Sequence, residues 1–436
     1  MLEEVGKKSV EEIFDDIPAS VRLKEKLDIP GPMPEMELVR HMEVLAAKNV
    51  NTGEYACFLG AGAYDHYVPG IIKHMLGRGE FYTAYTPYQP EISQGTLQAI
   101  FEYQTMICEL TGMDVSNASM YDGATAAAEA ILLACNLKKK KKALVSRSIH
   151  PETREVIRTY AAYNDIEIME VSFSEEGITD EKDLEGKFTN DFAALIVQSP
   201  NFFGSIEDMD NMGRITKARD ALFIAVVDPV SLAILKPPAE YGADIAVGEG
   251  QSLGNSLSFG GPYLGFFAAT RELARRMPGR IVGQTTDTSG NRGFVLTLQA
   301  REQHIRREKA TSNICTNQAL NALAATIHLV VMGRRGLRDV ANLCIQKTHY
   351  AYETLLGTGK FAPAFQAPFF KEFTLCVKDG NLSVSEINRR LLEEKIIGGY
   401  ELGKKYENLK NAWLVAVTEK RTKEEIDRLA ETIRNM

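Results

Sequence analysis

The segment ADIAVGEGQSLGNSLSFGGPYLG, residues 243–265, predicts where this chain brings its backbone close to a ligand or to another chain. It begins with the apolar run Ile245 to Val247, which is typical of a short β-strand, and apolar residues resume at Leu264. Glycine dominates the loop between these runs, and it permits both positive φ and a close approach of the backbone. A surface loop with ordinary turn glycines would have the same composition, so this segment alone leaves both interpretations open. The glycines are Gly248, Gly250, Gly254, Gly260, Gly261 and Gly265.

A carboxylate upstream favours the ligand-binding interpretation. Residues 221–227, ALFIAVV, predict a buried parallel strand, and Asp228 follows at its C-terminal end, where open α/β sheets bind ligands. A strand-end Asp followed by a glycine loop resembles the aminotransferase-like enzymes that use pyridoxal phosphate (PLP). In those enzymes the Asp holds the pyridine nitrogen, and a lysine at the start of the loop forms the Schiff base. Gln251 stands at the lysine position here, and a neutral amide cannot form an imine.

Composition and charge limit the classes of function. The 436 residues are 44% hydrophobic and 25% charged, as in soluble globular proteins, and no apolar run approaches the roughly 20 residues of a membrane span. A net charge of −8 argues against nucleic acid as the main partner. The six cysteines are scattered without a CxxC pair, and the acidic N-terminus is unlike a secretory or transit sequence. We therefore expect reduced thiols and a cytoplasmic location.

Strands that alternate with helices predict an α/β fold with a mostly parallel central sheet. After residue 270, residues 278–292 are expected to form a loop and residues 317–332 a helix. A strand, helix, strand, helix order follows and predicts a smaller α+β layer. The expected domains are a helical arm over residues 1–60, a large α/β domain over 61–310 and a small C-terminal domain over 311–436. The strands are expected at 143–146, 166–171, 192–201, 373–377 and 412–418.

Two features near the predicted sheet edge could bind a cofactor or simply stabilise helices. The turn at residues 123–125 precedes an apolar helix, where free N–H groups can hold a phosphate, although Asp122 or Thr125 could equally cap the helix. His150 follows the predicted strand at 143–146 and could stack on a ring or cap the next helix.

Tyrosines recur in FYTAYTPYQPEISQG, residues 81–95. Tyr82, Tyr85 and Tyr88 lie three apart among prolines that exclude a regular helix, so an extended loop is expected to present their rings. Tyrosine combines apolar area with a polar tip, which suits a ligand-binding wall, a protein interface or an anchor for the loop itself. We call residues 81–95 the tyrosine loop.

The tyrosine loop and the segment NASMYDGATAAAEA, residues 117–130, are similar to the glycine cleavage system P-protein family, that is, glycine dehydrogenase (decarboxylating). Within that family the chain resembles subunit 1, the alpha chain of the split form, over essentially its whole length. The YTPYQPE motif at residues 85–91 is the most specific part of the resemblance.

The resemblance implies a fold type I PLP enzyme whose cofactor is bound covalently by a partner, subunit 2, in an α2β2 assembly. Together the subunits would decarboxylate glycine through PLP and pass the aminomethyl group to the lipoyl arm of the H-protein. The resemblance implies no catalytic residue in this chain, since Gln251 replaces the Schiff-base lysine. Thr125, His150, Asp228 and Gln251 would line a vestigial cofactor pocket, and the implied substrate-side or interface residues are Asp65, His66, Tyr85, Thr86, Tyr88, Gln89 and Glu91.

Two alternatives remain open at this stage. One is a self-sufficient PLP enzyme that uses Lys236 as the imine former. The other is a non-catalytic scaffold that binds a PLP enzyme without touching its substrate. A nucleotide-binding dehydrogenase is disfavoured because no GxGxxG follows a predicted strand.

Overall fold

The computed structural model describes residues 1–23, 25–82, 86–310, 312–314, 317–378, 380 and 382–436. These residues form two compact units, Met1–Asn51 and Thr52–Met436. Tyr85, one of the predicted site residues, lies outside the described residues.

A seven-stranded sheet forms the centre of the larger unit. Its strands are parallel except at one edge, where Gly265–Ala269 and Val115–Ser116 run antiparallel to their neighbours. The strand Leu222–Val227 lies in the middle with both faces covered, which explains its uninterrupted apolar run. The predicted α/β class with a mostly parallel sheet is thus confirmed. In spatial order the strands are Val115–Ser116, Gly265–Ala269, Ile245–Glu249, Leu222–Val227, Phe192–Ser199, Lys142–Ser146 and Glu167–Val171.

Helices cover both faces of this sheet. Neighbouring strand residues point to opposite faces, so Val145 packs in one apolar cluster with the helix Gly123–Lys138, and Leu144 packs in a second cluster. Asp122, one of the two predicted caps, caps the helix Gly123–Lys138, and Gly112 ends the preceding helix in the left-handed conformation. The helices around the sheet include Gly70–Leu76, Gln94–Thr111, Gly123–Lys138, Pro151–Ala162, Glu181–Lys187 and Met209–Lys217.

The predicted loop at residues 278–292 was wrong in part. An antiparallel hairpin forms there from Ile281–Thr286 and Arg292–Thr297, and Gln94 bonds its second strand through the backbone N–H and C=O of Phe294. The alternation of polar and apolar residues in this segment is weak, which is why its strands escaped prediction.

A long helix leads into a second, smaller sheet. The predicted helix at 317–332 is too short, because helix Ala319–Leu356 continues past Gly333, where the backbone is kinked at φ 59°. The second sheet is antiparallel and four-stranded, with Ala412–Ala416 at its centre, and the α+β order of the C-terminal region is as predicted. Among the described residues no helix is both long and apolar enough to cross a bilayer. The remaining elements are strands Phe361–Pro363, Glu372–Val377 and Tyr400–Glu401 and helices Gln303–Arg306, Val384–Glu393 and Lys423–Arg434.

The smaller unit, Met1–Asn51, contains the helix Glu35–Ala46, in which no residue is buried. Large apolar side chains of this helix, including Leu38 and Met42, are exposed to 46% and 55%. Ala56–Cys57 pairs with Ile396–Ile397 in the larger unit, and the domain boundary expected at residue 60 stays a prediction. The division of the rest of the chain at residue 310 stays a prediction.

Candidate functional site

A pocket of about 370 Å³ opens at the C-terminal ends of the parallel strands. It brings together His150, Asp228 and Gln251, three of the four residues that the sequence assigned to a cofactor pocket. The fourth, Thr125, does not line the pocket and forms a capping box with Asp122 at the start of the helix Gly123–Lys138. The side chain of His150 also caps a helix, since Nδ1 accepts from Glu152 N–H at 3.2 Å.

Asp228 is paired with a lysine that sequence reasoning missed. The Lys371 ammonium lies 2.5 Å from Asp228 Oδ2, and the two side chains are only 3% and 14% exposed. Burial works to raise the pKa of Asp228, but the charge and hydrogen bond of Lys371, together with smaller contributions that include the Ser231 N–H, outweigh it and lower that pKa below its usual range. Backbone N–H groups of Val230 and Ser231 bond the other oxygen, Oδ1. Asp228 is therefore ionised and fully engaged within this chain.

Gln251 bonds the backbone of Tyr64 in both directions. Its Oε1 accepts from Tyr64 N–H at 2.9 Å, and its Nε2 donates to Tyr64 C=O at 3.1 Å and to Asn255 C=O at 2.7 Å. A carboxamide can donate and accept at once, whereas an ammonium can only donate. The residue at the lysine position thus holds a segment of this chain in the pocket.

That segment, residues 60–64, is called the inserted segment below. Gly60, Ala61 and Gly62 all have positive φ, and a Cβ at Gly62 would meet His150 Nε2 at 2.9 Å. His150 Nε2 lies 2.9 Å from the Ala61 carbonyl, which requires the ring proton on Nε2. The strained backbone at Ala61 persists because side chains on several elements fix it.

Glu372 holds the inserted segment from the side of the smaller sheet. Its two oxygens accept from Ala61 N–H at 2.7 Å and from the Tyr64 hydroxyl at 2.8 Å. The Tyr64 ring lies over the Lys371 ammonium, 3.5 Å from ring centroid to Nζ. The aromatic ring in this pocket is therefore supplied by the chain itself.

Glu249 occupies the start of the helix Gly123–Lys138. Its Oε2 accepts from Gly123 N–H at 3.0 Å, and its Oε1 accepts from Leu264 N–H at 2.8 Å and Gln251 N–H at 3.0 Å. Burial raises the pKa of Glu249 to about 7 in spite of these donors. The sequence predicted a phosphate cradle or a cap at this turn, and the structure shows an internal carboxylate there.

The raised carboxyl pKa values predict how stability depends on pH. Burial raises the pKa of Glu249 and Glu372 to about 7, above the ordinary 4.5, so the folded chain holds protons that the unfolded chain releases. The free energy of unfolding of the full chain should therefore fall as pH rises from about 6.5 to about 8. Burial lowers the pKa of His150 and of His328 below the ordinary 6.5, so near pH 6.5 the unfolded rings hold protons that the folded rings lack. This offsets part of the fall until the unfolded rings are neutral by about pH 7.5.

Urea denaturation at a series of pH values measures this slope. Glu372→Gln should reduce the fall, and Glu394→Gln, which changes an exposed carboxylate, should leave it unchanged. An unfolding free energy that rises with pH across this range in the unsubstituted chain would contradict the expectation.

The tyrosine loop is exposed in the part that the structure describes. Tyr82 and Tyr88 are 67% and 50% exposed, and Gln89 and Glu91 are exposed as well. The Tyr88 hydroxyl accepts from Arg280 Nη2 at 3.1 Å, which fixes the direction of the ring. Thr86 is half-buried.

Asp65 and His66 are buried and paired within this chain. Both were expected on the substrate or interface side, but Asp65 forms ion pairs with Lys420 at 2.6 Å and Arg421 at 3.0 Å, and its side chain is 9% exposed. The His66 side chain is 3% exposed and bonds Glu419. Within this chain these residues fix the backbone that follows the inserted segment, and their assignment to the substrate or interface side stays a prediction.

His66, Cys344 and Glu419 form one group of potential metal ligands among the described residues, with ligand atoms within 4.8 Å of one another. Lys371 Nζ lies 3.1 Å from His66 Nε2, and an ammonium has only protons to offer, so Nε2 accepts and Nδ1 carries the ring proton. Nδ1 donates that proton to Glu419 Oε2 at 2.6 Å. The arrangement favours a hydrogen-bonded chain over a metal centre.

Comparison with known proteins decides the family. The model of the glycine cleavage system P-protein family matches residues 1–433. The chain is 56% identical to the probable glycine dehydrogenase (decarboxylating) subunit 1 of Carboxydothermus hydrogenoformans, over 99% of this chain and 96% of the relative. The chain belongs to the glycine cleavage system P-protein family.

Further comparisons agree with this P-protein assignment. The corresponding Moorella thermoacetica protein is 57% identical over 100% of this chain and 97% of its own length. A crystal structure of glycine decarboxylase (P-protein) in inhibitor-bound form matches with a TM-score of 0.92 and 42% identity, covering 100% of this chain and 97% of that one. A NifS-like protein, 12% identical with a TM-score of 0.65, shares the fold alone. The predicted fold class is confirmed.

The pocket of this P-protein chain does not fit PLP. Position 251 offers no amine, Asp228 is already paired with an ammonium, and the first N–H of the helix Gly123–Lys138 is bonded to a carboxylate. The alternative imine former, Lys236, does not line this pocket and pairs with Asp210 at 2.6 Å on the surface. We derive no chemical step through PLP in this chain.

Proposed function

We propose that this chain is the lysine-free subunit of a two-subunit glycine decarboxylase of the glycine cleavage system. The observation that carries the proposal is the full-length match to glycine dehydrogenase subunit 1 proteins, together with Gln251 where a Schiff-base lysine would stand. In the proposed assembly, subunit 2 binds PLP covalently and carries the reaction on glycine. The aminomethyl group passes to the lipoyl arm of the H-protein.

This chain would contribute a wall of the partner's reaction site. The tyrosine loop suits that role because Tyr88, Gln89 and Glu91 are exposed while Arg280 holds the Tyr88 hydroxyl. A wall of this kind orients the substrate and excludes water, and both effects accelerate a reaction without a covalent step. Tyr85 and Thr86 belong to the same proposed surface.

The proposed assembly is a cytoplasmic α2β2 complex. Obligate interfaces of this kind bury roughly 2,000 Å² or more and are rich in apolar side chains. The exposed apolar residues of the helix Glu35–Ala46 would supply part of such an interface, since nothing in the described unit Met1–Asn51 buries them. The arm would then fold against a partner.

A glycine-dependent exchange assay with labelled CO2 tests the proposal. The purified chain alone, supplied with PLP and H-protein, should show no exchange, and the complex with subunit 2 should be active. In the complex, Tyr88→Ala should lower exchange by about 100-fold without loss of assembly, because misplacement of a substrate contact has effects of this order.

Tyr163→Ala is the matched control, because Tyr163 is 90% exposed at the end of another helix and should leave exchange unchanged. Exchange by the chain alone would contradict the proposal. If Tyr88→Ala and Gln89→Ala leave both exchange and assembly intact, the scaffold alternative replaces the proposed wall.

A further inference from the structure

The size of the pocket does not by itself exclude PLP. Its volume of about 370 Å³ falls within the roughly 300 to 1,000 Å³ that is usual for small-molecule sites. Gln251 has no amine, so no imine can form at this position. That absence does not explain why PLP would fail to bind without a covalent bond. The explanation must lie in the polar groups that line the pocket.

The pocket has one place suited to an anion and one suited to a cation. The start of the helix Gly123–Lys138 presents N–H groups and the positive end of a helix dipole, and this favours a phosphate or a carboxylate. At the other place, the ionised Asp228 at the end of the strand Leu222–Val227 favours a protonated nitrogen. PLP carries a phosphate and a protonated ring nitrogen, so its two ends would need these two places.

Both places are already taken by charged groups of this chain. The Glu249 carboxylate accepts three backbone N–H groups, including that of Gly123. The Lys371 ammonium lies 2.5 Å from Asp228. We propose that Glu249 and Lys371 act as internal substitutes for the two charged ends of the cofactor, so that the pocket rejects PLP because its binding partners are occupied.

The proposal goes beyond the loss of the lysine. A phosphate that approached Gly123 would have to displace a buried carboxylate and would meet its negative charge, and a ring nitrogen at Asp228 would meet an ammonium. Restoring the amine is therefore not sufficient to restore the site. The inserted segment completes the occupation, since Tyr64 places its own aromatic ring over Lys371.

The first test restores the amine alone. The Gln251→Lys full chain is incubated with PLP, reduced with borohydride and mapped by mass spectrometry. The expected result is labelling at position 251 no higher than at the exposed lysines of the same chain. Stoichiometric labelling at position 251 would overturn the proposal, because it would show that the pocket admits PLP with both substitutes in place.

The second test removes one substitute and uses inorganic phosphate as the probe. In Glu249→Ser the N–H of Gly123 loses its acceptor, so phosphate should raise the midpoint temperature of unfolding in proportion to its occupancy. The unsubstituted chain should show no such shift. Glu152→Ser is the control, because Glu152 lines the same pocket but is exposed, and its replacement frees no backbone N–H.

A phosphate response in Glu249→Ser that equals that of the unsubstituted chain would overturn the proposal. So would an equal gain in Glu152→Ser, since it would reflect general charge removal. Both tests use this chain alone, so their outcome is independent of whether the complex decarboxylates glycine.

Discussion

Lys371→Met is expected to lower the free energy of unfolding by about 3 to 5 kcal/mol, the usual effect of removing one partner of a buried ion pair. Asp228, 14% exposed, would lose the ammonium that now lies at 2.5 Å and would have to hold an unpaired buried charge or take up a proton, and both cost free energy. The Tyr64 ring would also lose the cation over its face. Methionine preserves most of the side-chain volume, so the decrease in the free energy of unfolding measures the removal of the charge rather than the creation of a cavity. Urea denaturation of the full chain measures the change.

Lys236→Met is the matched control. Lys236 pairs with Asp210 at 2.6 Å, nearly the same separation, but its side chain is 45% exposed, so the expected loss is at most about 1 kcal/mol. Asp228→Asn combined with Lys371→Met should restore much of the stability, because no unpaired charge remains. If Lys371→Met behaves like Lys236→Met, the buried pair does not have the role described here.

Local patterns were sufficient to predict the sheet and the ends of its strands. The continuous apolar run before Asp228 predicts a central parallel strand. The glycine loop after Val247 predicts where the neighbouring strand ends. The cap at Asp122 follows from residue type and position alone. These features depend on neighbours in sequence, so one sequence reveals them.

The occupants of the pocket could not be predicted in the same way. Lys371 and Glu372 lie more than 140 residues after Asp228. Glu372 begins a strand of the smaller sheet and Lys371 directly precedes it, so only the tertiary fold brings them to the pocket. The resemblance implied a substrate-side or interface role for Asp65 and His66, and their ionic partners at residues 419–421 could not be predicted because they are distant in sequence. Glu249 lies in the same glycine loop as Gln251. Only Gln251 was given a role from the sequence, because it stands where the Schiff-base lysine is expected.

The second prediction concerns which subunit binds the cofactor covalently in the complex. Borohydride reduces an imine between PLP and a lysine to a stable amine, so the labelled lysine identifies the chain that binds the cofactor covalently. Two lysines of this chain need to be examined: Lys236, which the sequence suggested, and Lys371, which the fold places in the pocket. Lys236 does not line that pocket, and Lys371 is paired with the carboxylate that would face the ring nitrogen.

Peptide mapping of the reduced complex of this chain with subunit 2 therefore tests the central claim most directly. We expect one stoichiometrically labelled lysine, in subunit 2, and only background labelling in this chain. A cofactor-labelled peptide that contains Lys236 or Lys371 at stoichiometric yield would contradict the account.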